Sequence, residues 1–219
     1  EADQALRRAL ALKPDYAQAY NNLGNVMKEM GRLVEAVQCY RNAVDHAPDY
    51  SAAHSNLIFA LDMSDDRTLV DQQEERRRWY ASHGHKFSAS IRPHGNSRDP
   101  KRKLRIGYVS ADFRKHSAQY IFGPILRHHD RAKFEVTCYS GVRREDEVTA
   151  RLKNSVDGWC STVAISDDSL AEQIRQDHID ILVDLSGHSA GNRLLVFARK
   201  PAPIQVCAWG FALGTGIQR

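Results

Sequence analysis

The segment AQAYNNLGNVMKEMGRLVEAVQCYRNAVDHAPDY, residues 17–50, sets the first half of the architecture. Tyr20, Leu23, Gly24 and Met27 fall three and four apart and mark one amphipathic helix. Ala36, Tyr40 and Ala43 mark a second, and Pro48 closes the unit. Each helix carries one apolar stripe, and the small Gly24 and Ala36 stand where two helices must come close. The same spacing recurs on both sides, with a period of roughly 34 residues. Before it, Ala2, Leu6, Ala9 and Pro14 take the second-helix positions; after it, His54, Leu57 and Leu61 take those of a first helix.

This is the tetratricopeptide (TPR) pattern, a helix pair repeated into a solenoid, with about two repeats visible. A solenoid needs roughly three repeats for independent stability, and the chain opens in mid-repeat, so Glu1 is expected to be a cut end of a longer superhelix. TPR arrays bind extended peptides along a concave face. The asparagine row Asn21, Asn22, Asn25 and Asn56 is the candidate surface for an acceptor peptide, although the same row also fits a plain solvent-exposed helix face.

Composition narrows the class. The chain has 219 residues, enough for one or two domains, with 42% hydrophobic and 26% charged residues, as expected for a soluble protein with a real core. No run approaches the roughly 18 apolar residues of a membrane span, and no signal peptide is visible. Cys39, Cys138, Cys160 and Cys207 show neither CxxC nor Cys/His ligand spacing. They read as buried free thiols in a reducing compartment, and the cytoplasm fits best. The net charge is +4. Basic residues crowd at Arg76, Arg77 and Arg78 and again at Arg98, Lys101, Arg102, Lys103 and Arg105. No aromatic residues interleave with the second group and no nucleic-acid motif surrounds it. The first group falls on a helix expected over 68–83, with Glu74 and Glu75 as local partners, and is taken as a solvated face.

Between 88 and 102 periodicity is lost around Pro93, Gly95, Asn96, Ser97 and Pro100, and a linker is expected there, separating 1–87 from 103–219. From Lys103 the period changes. Strands are expected over 104–110, 134–139, 179–185 and 204–209, and helices over 117–129, 145–156, 169–177 and 192–198. Strand and helix alternating in this way predict a Rossmann-like parallel sheet with helices on both faces. Ligands in such sheets bind beyond the carboxyl ends of the strands, which selects three loops. The first carries His116, able to act as a base through a neutral nitrogen or to offer a positive charge to a phosphate at the helix N-terminus. The second, 186–193, has Gly187 and Gly191 for close backbone approach, with Ser189 or Asn192 as a helix cap. The third, 210–216, is glycine-rich but lacks a P-loop lysine, and no GxGxxG follows the first strand.

TPR repeats leading into KLRIGYVSADFRKHS (103–117), FEVTCYS (134–140), IDILVDLSGHSAGNR (179–193) and FARKPAPIQV (197–206) resemble the TPR-linked O-GlcNAc transferase family. The resemblance covers essentially the whole chain. It implies a GT-B glycosyltransferase with two Rossmann-like lobes, of which residues 103–219 match the N-terminal one. It implies inverting, metal-independent transfer of N-acetylglucosamine from UDP-GlcNAc to serine or threonine hydroxyls, with the TPRs recruiting the protein acceptor and no cofactor. His116 matches the family's active-site histidine; His188, Gly210, Ala212, Gly214 and Thr215 would approach the sugar or phosphates. One departure is that Trp209–Gly216 lacks the proline of the animal WLGYPGTSG segment. Another is that the uracil-binding lobe and its lysine do not occur in these residues, so this polypeptide is not expected to catalyse transfer alone. Fucosyl transfer from GDP-fucose, asparagine glucosylation and an inactive TPR scaffold remain as alternatives.

Overall fold

The computed structural model describes residues 1–65, 67–209 and 213–217. They form two compact units. A helical unit takes Glu1–Lys86 together with His188–Ala190, and an α/β unit takes Phe87–Gly187 and Gly191–Thr215.

The helical unit runs α1 (Ala2–Leu12), α2 (Ala17–Glu29), α3 (Leu33–His46), α4 (Ser51–Asp62) and α5 (Leu69–Trp79). Its core takes Leu23, Met27, Ala36, Tyr40, Leu57 and Leu61 from the expected stripes and adds Val37 and Ala60, while Tyr20 is half-buried. Fully burying one Leu or Met side chain contributes about 1.5–3 kcal/mol. Gly24 shows why the repeat needs a small residue. A Cβ there would lie 2.6 Å from Tyr40 Cε1, and Tyr40 is fully buried with its hydroxyl donating to Asn25 Oδ1 at 2.8 Å. α5 begins at a capping box in which Thr68 Oγ1 accepts from Asp71 N–H and Asp71 Oδ2 accepts from Thr68 N–H.

α5 passes into a π-helical turn, Tyr80–Gly84, and then a 3₁₀ segment, His85–Ser90. The turn brings His83 Nε2 to 3.0 Å from His54 Nδ1, while His54 Nε2 lies 2.9 Å from Glu75 Oε1. One of the expected solvated residues is not solvated. Arg76 is fully buried, donating to Asp62 Oδ2 at 2.6 Å and to the Gln72 carbonyl at 2.9 Å. Arg77 and Arg78 do face solvent, beside Glu74.

The α/β unit is a five-stranded, wholly parallel sheet in the order β3-β2-β1-β4-β5. Its strands are β1 (Leu104–Ser110), β2 (Phe134–Ser140), β3 (Gly158–Ser161), β4 (Ile181–Asp184) and β5 (Ile204–Cys207). The connecting helices are α6 (Gln119–Arg127), α7 (Glu147–Lys153), α8 (Asp167–Gln176) and α9 (Leu194–Ala198). The order reverses at β1, so right-handed crossovers send α6 and α7 to one face and α8 to the other. Ile106, Tyr108, Val136, Cys138 and Val183 pack with Phe122, Leu126, Val148 and Leu152 to build the core. Gly107 sits in mid-strand because an added Cβ would lie 2.9 Å from Leu182 Cδ1 and 3.0 Å from Tyr139 Cε2.

One strand was not anticipated. β3 spans only four residues, Gly-Trp-Cys-Ser, on the sheet edge with Ser161 exposed, and is too short for an alternating pattern to register. Residues 91–102 carry no helix or strand, yet they are fixed. Asp180 accepts from Arg102 Nη1 at 2.6 Å, Arg102 Nη2 at 2.7 Å, Asn96 Nδ2 at 2.7 Å and Arg105 N–H at 2.9 Å. Among the described residues no helix is long and apolar enough to cross a membrane.

Candidate active site

The carboxyl ends of β1, β2 and β4 lie on adjacent strands, and the loops leaving them are drawn together by small residues. A Cβ on Gly141, after β2, would stand 3.3 Å from Ala111 Cα. One on Gly191, in the loop after β4, would stand 2.8 Å from Ala111 Cβ, with φ already at +78°. The loop after β1 thus has neighbours from both other loops at a single alanine, a convergence that the topological rule for open α/β sheets predicts.

Each loop leaves its strand through a local turn. Ser110 Oγ accepts from Asp112 N–H at 3.0 Å, and Ser140 Oγ accepts from Val142 N–H at 3.3 Å. After β4 the device is a carboxylate: Asp184 accepts from Ser186 N–H at 3.0 Å and Gly187 N–H at 2.8 Å. Burial pushes the Asp184 carboxyl up, with those two N–H groups opposing the rise. The Asp-x-Ser-Gly spacing is the sequence signal for this turn, and Asp184 was not singled out on sequence.

The β1 loop is anchored by Phe113, fully buried and edge-on to Phe122 with ring centroids 5.4 Å apart. Beyond it, residues 114–117 are exposed, His116 among them. His116 Nδ1 accepts from Ala118 N–H at 3.3 Å and lies 4.0 Å from Asp112 Oδ2. With Nδ1 accepting, the neutral ring carries its proton on Nε2. The exposed ring therefore offers an N–H donor to a ligand. To act as a base through Nε2 it would have to exchange the Ala118 contact for Nδ1–H to Asp112. Asp112 also accepts from Arg114 Nη2 at 3.3 Å.

The other expected residues separate. Gly214 has φ +77° and nothing within 4 Å of an added Cβ; it and Thr215, beside it, are half-buried. Gly210 and Ala212 lie outside the described residues. His188 corrects an expectation: it is fully buried and groups with the helical unit, its Nδ1 3.2 Å from Ser55 Oγ and its ring edge-on to Trp79 at 5.2 Å.

The asparagine row is also partly committed. Asn56 Nδ2 donates to Asn21 Oδ1 at 2.8 Å, a step from α4 to α2, and Asn25 is taken by Tyr40. Asn22 is exposed, Asn56 half-buried and Asn21 buried. Among the described residues no group of three or more His, Cys, Asp or Glu is arranged to hold a metal.

The sequence profile of glycosyl transferase family 41 matches residues 68–218, and TPR profiles match 1–31 and 17–50. A probable UDP-N-acetylglucosamine–peptide N-acetylglucosaminyltransferase SPINDLY of Arabidopsis thaliana is 40% identical over 126 residues, 56% of this chain and 14% of its own length. The SPINDLY protein of Oryza sativa is 35% identical over 188 residues, 83% of this chain and 20% of its own. A solved mutant of the Thermobaculum terrenum O-GlcNAc transferase superposes with TM-score 0.88 at 37% identity, covering 95% of this chain and 40% of that one. The chain thus spans a minor part of each relative's length. With its parallel sheet, its convergent loops and the match over most of its residues, this chain belongs to glycosyl transferase family 41, joined to tetratricopeptide repeats.

Proposed function

We propose that this chain supplies the peptide-binding repeats and the first lobe of an inverting glycosyltransferase that moves N-acetylglucosamine from UDP-GlcNAc to serine or threonine hydroxyls of proteins. The observation that carries the reading is the exposed His116 at the carboxyl end of β1, in a chain whose family and relatives are sugar transferases. Such a reaction must position a weakly nucleophilic hydroxyl and stabilise the negative charge that develops on the leaving diphosphate. A neutral His116 donating through Nε2–H is suited to binding an oxygen of the acceptor or of the donor. Gly214 and Thr215, both half-buried, are proposed to lie near a phosphate or the sugar. In the helical unit, Asn22 and Asn56 retain exposure enough to bond an extended peptide backbone.

The second lobe, which in this reading holds the uridine and the diphosphate, is required for turnover. Transfer is proposed to need no resident metal, so excess chelator should leave the rate unchanged; a loss restored by one divalent cation would contradict that point. Free thiols at all four cysteines support a reducing compartment such as the cytoplasm. The test is mass spectrometry of acceptor proteins after incubation of the two-lobed protein with UDP-GlcNAc, UDP-glucose or GDP-fucose. An N-acetylhexosamine on serine or threonine from UDP-GlcNAc is the expected product. A deoxyhexose, a hexose on asparagine, or no addition by folded protein would replace this reading with one of its alternatives.

A further inference from the structure

The loop that presents His116 has no side-chain packing of its own between Phe113 and Ala118, since residues 114–117 are all exposed. Beside local turns such as Arg114 N–H to the Asp112 carbonyl and Gln119 N–H to the His116 carbonyl, two hydrogen bonds tie its backbone to α7, one on each side of Arg114, ending on the N-cap and the first turn of that helix. Lys115 N–H donates to Asp146 Oδ2 at 2.7 Å, and Thr149 Oγ1–H donates to the Phe113 carbonyl at 2.8 Å.

Asp146 and Thr149 are the two members of the α7 capping box. Asp146 Oδ1 accepts from Val148 N–H and Thr149 N–H, both at 3.0 Å, and Thr149 Oγ1 accepts from Asp146 N–H at 3.3 Å. An N-cap needs only one carboxylate oxygen. Here the second oxygen serves the His116 loop, and the Thr149 hydroxyl, with its residue fully buried, serves it too. The Lys115 N–H, followed by that of Thr149, holds the Asp146 carboxyl below the ordinary carboxylate range, so the acceptor stays ionised at neutral pH.

We propose that Asp146 and Thr149 are positioning residues for His116, the α7 capping box acting as a clamp that fixes the Phe113–Lys115 backbone and through it the imidazole. This rests on the reading of His116 as an active-site group. Neither residue touches a reacting atom. Their effect is to remove loop freedom that would otherwise place the ring wrongly, and a displacement of about 1 Å at such a group can cost up to a hundredfold in rate.

Asp146→Asn separates the clamp from the cap, because asparagine is as good an N-cap as aspartate but presents an NH₂ to Lys115 N–H. Thr149→Val removes the hydroxyl at nearly constant shape, and Thr149→Ser restores it. Two readouts are taken: the His116 Cε1–H resonance in this chain, and transfer by the two-lobed protein in wild-type and His116→Ala backgrounds. Asp146→Asn is expected to keep the thermal midpoint, to shift or split the His116 resonance, and to lower kcat about tenfold with donor KM within about twofold. Thr149→Val is expected to behave likewise in the resonance and in kcat, with Thr149→Ser close to wild type. In the His116→Ala background Asp146→Asn should cost nothing more.

An unchanged His116 resonance together with unchanged kcat would overturn the proposal, and so would losses that multiply in the double variant. If the wild-type protein transferred no sugar while Asp146→Asn still moved the His116 resonance, the functional reading would fail and the clamp would stand.

Discussion

Asp180 shows how one carboxylate can tie an irregular segment to a sheet. Burial acts to raise its pKa, but the bonds from Arg102, Arg105 and Asn96 outweigh burial and hold it below the usual carboxylate range. Asp180→Asn would leave the Arg102 guanidinium without its anionic partner, and we expect a loss of roughly 2–4 kcal/mol in denaturant unfolding. A loss under about 0.5 kcal/mol, the size of an ordinary surface substitution, would contradict this. Because the folded pKa is depressed, the contribution is present above the unfolded value of about 3.9 and disappears as pH falls through the lower folded value. Individual side chains are also where sequence reading was weakest. Arg76 sits beside Arg77 and Arg78, and no local pattern distinguishes the one that points inward to Asp62. His188 occupies a strand-end loop as a ligand-binding histidine would, yet long-range packing on Trp79 and Ser55 encloses it.

Among the elements, the repeat helices follow directly from their apolar spacing, and Gly24 is the position where the rule can be tested. Gly24→Ala gains about 1 kcal/mol of helix propensity but drives a methyl into a Tyr40 ring that burial and the Asn25 bond hold in place. Overpacking costs about 1–3 kcal/mol, so net destabilisation of the helical unit is expected in chemical denaturation; a stabilised variant would show that the helices can part. The π-helical turn makes a different prediction. Burial first, then the charges of His54 and Lys86, pushes His83 down to about 4. The unfolded state then binds more protons than the folded state between about pH 6.5 and that value, so stability should fall as pH is lowered across this window. His83→Gln should flatten the fall in thermal midpoint, and an undiminished slope would assign it to other groups. Strands β1, β2 and β5 begin at the residues expected from their β-branched and aromatic content, while β4, the continuously apolar segment, begins at Ile181, two residues later than expected. β3, a four-residue edge strand, carries no such signal.

For the molecule as a whole, the pairing of repeats with a parallel α/β sheet was legible from two periodicities; the loops after β1 and β4 were picked out from their strand ends, whereas the loop after β2, whose Gly141 meets Ala111, was not. The clamp on the His116 loop was not legible, because Lys115 meets Asp146 and Phe113 meets Thr149 only once the loop after β1 and α7 are folded against each other. Family 41 membership and the exposed His116 at the end of β1 support the proposal of transfer to protein hydroxyls. Its most direct test is the rate of N-acetylglucosamine transfer by the two-lobed protein and by its His116→Ala variant, measured beside their affinities for UDP. The account predicts labelled serine or threonine with the wild type. In the variant it predicts at least a tenfold fall in turnover, about 1.4 kcal/mol of transition-state stabilisation, with UDP affinity within a few-fold. Turnover by His116→Ala close to wild type would contradict it.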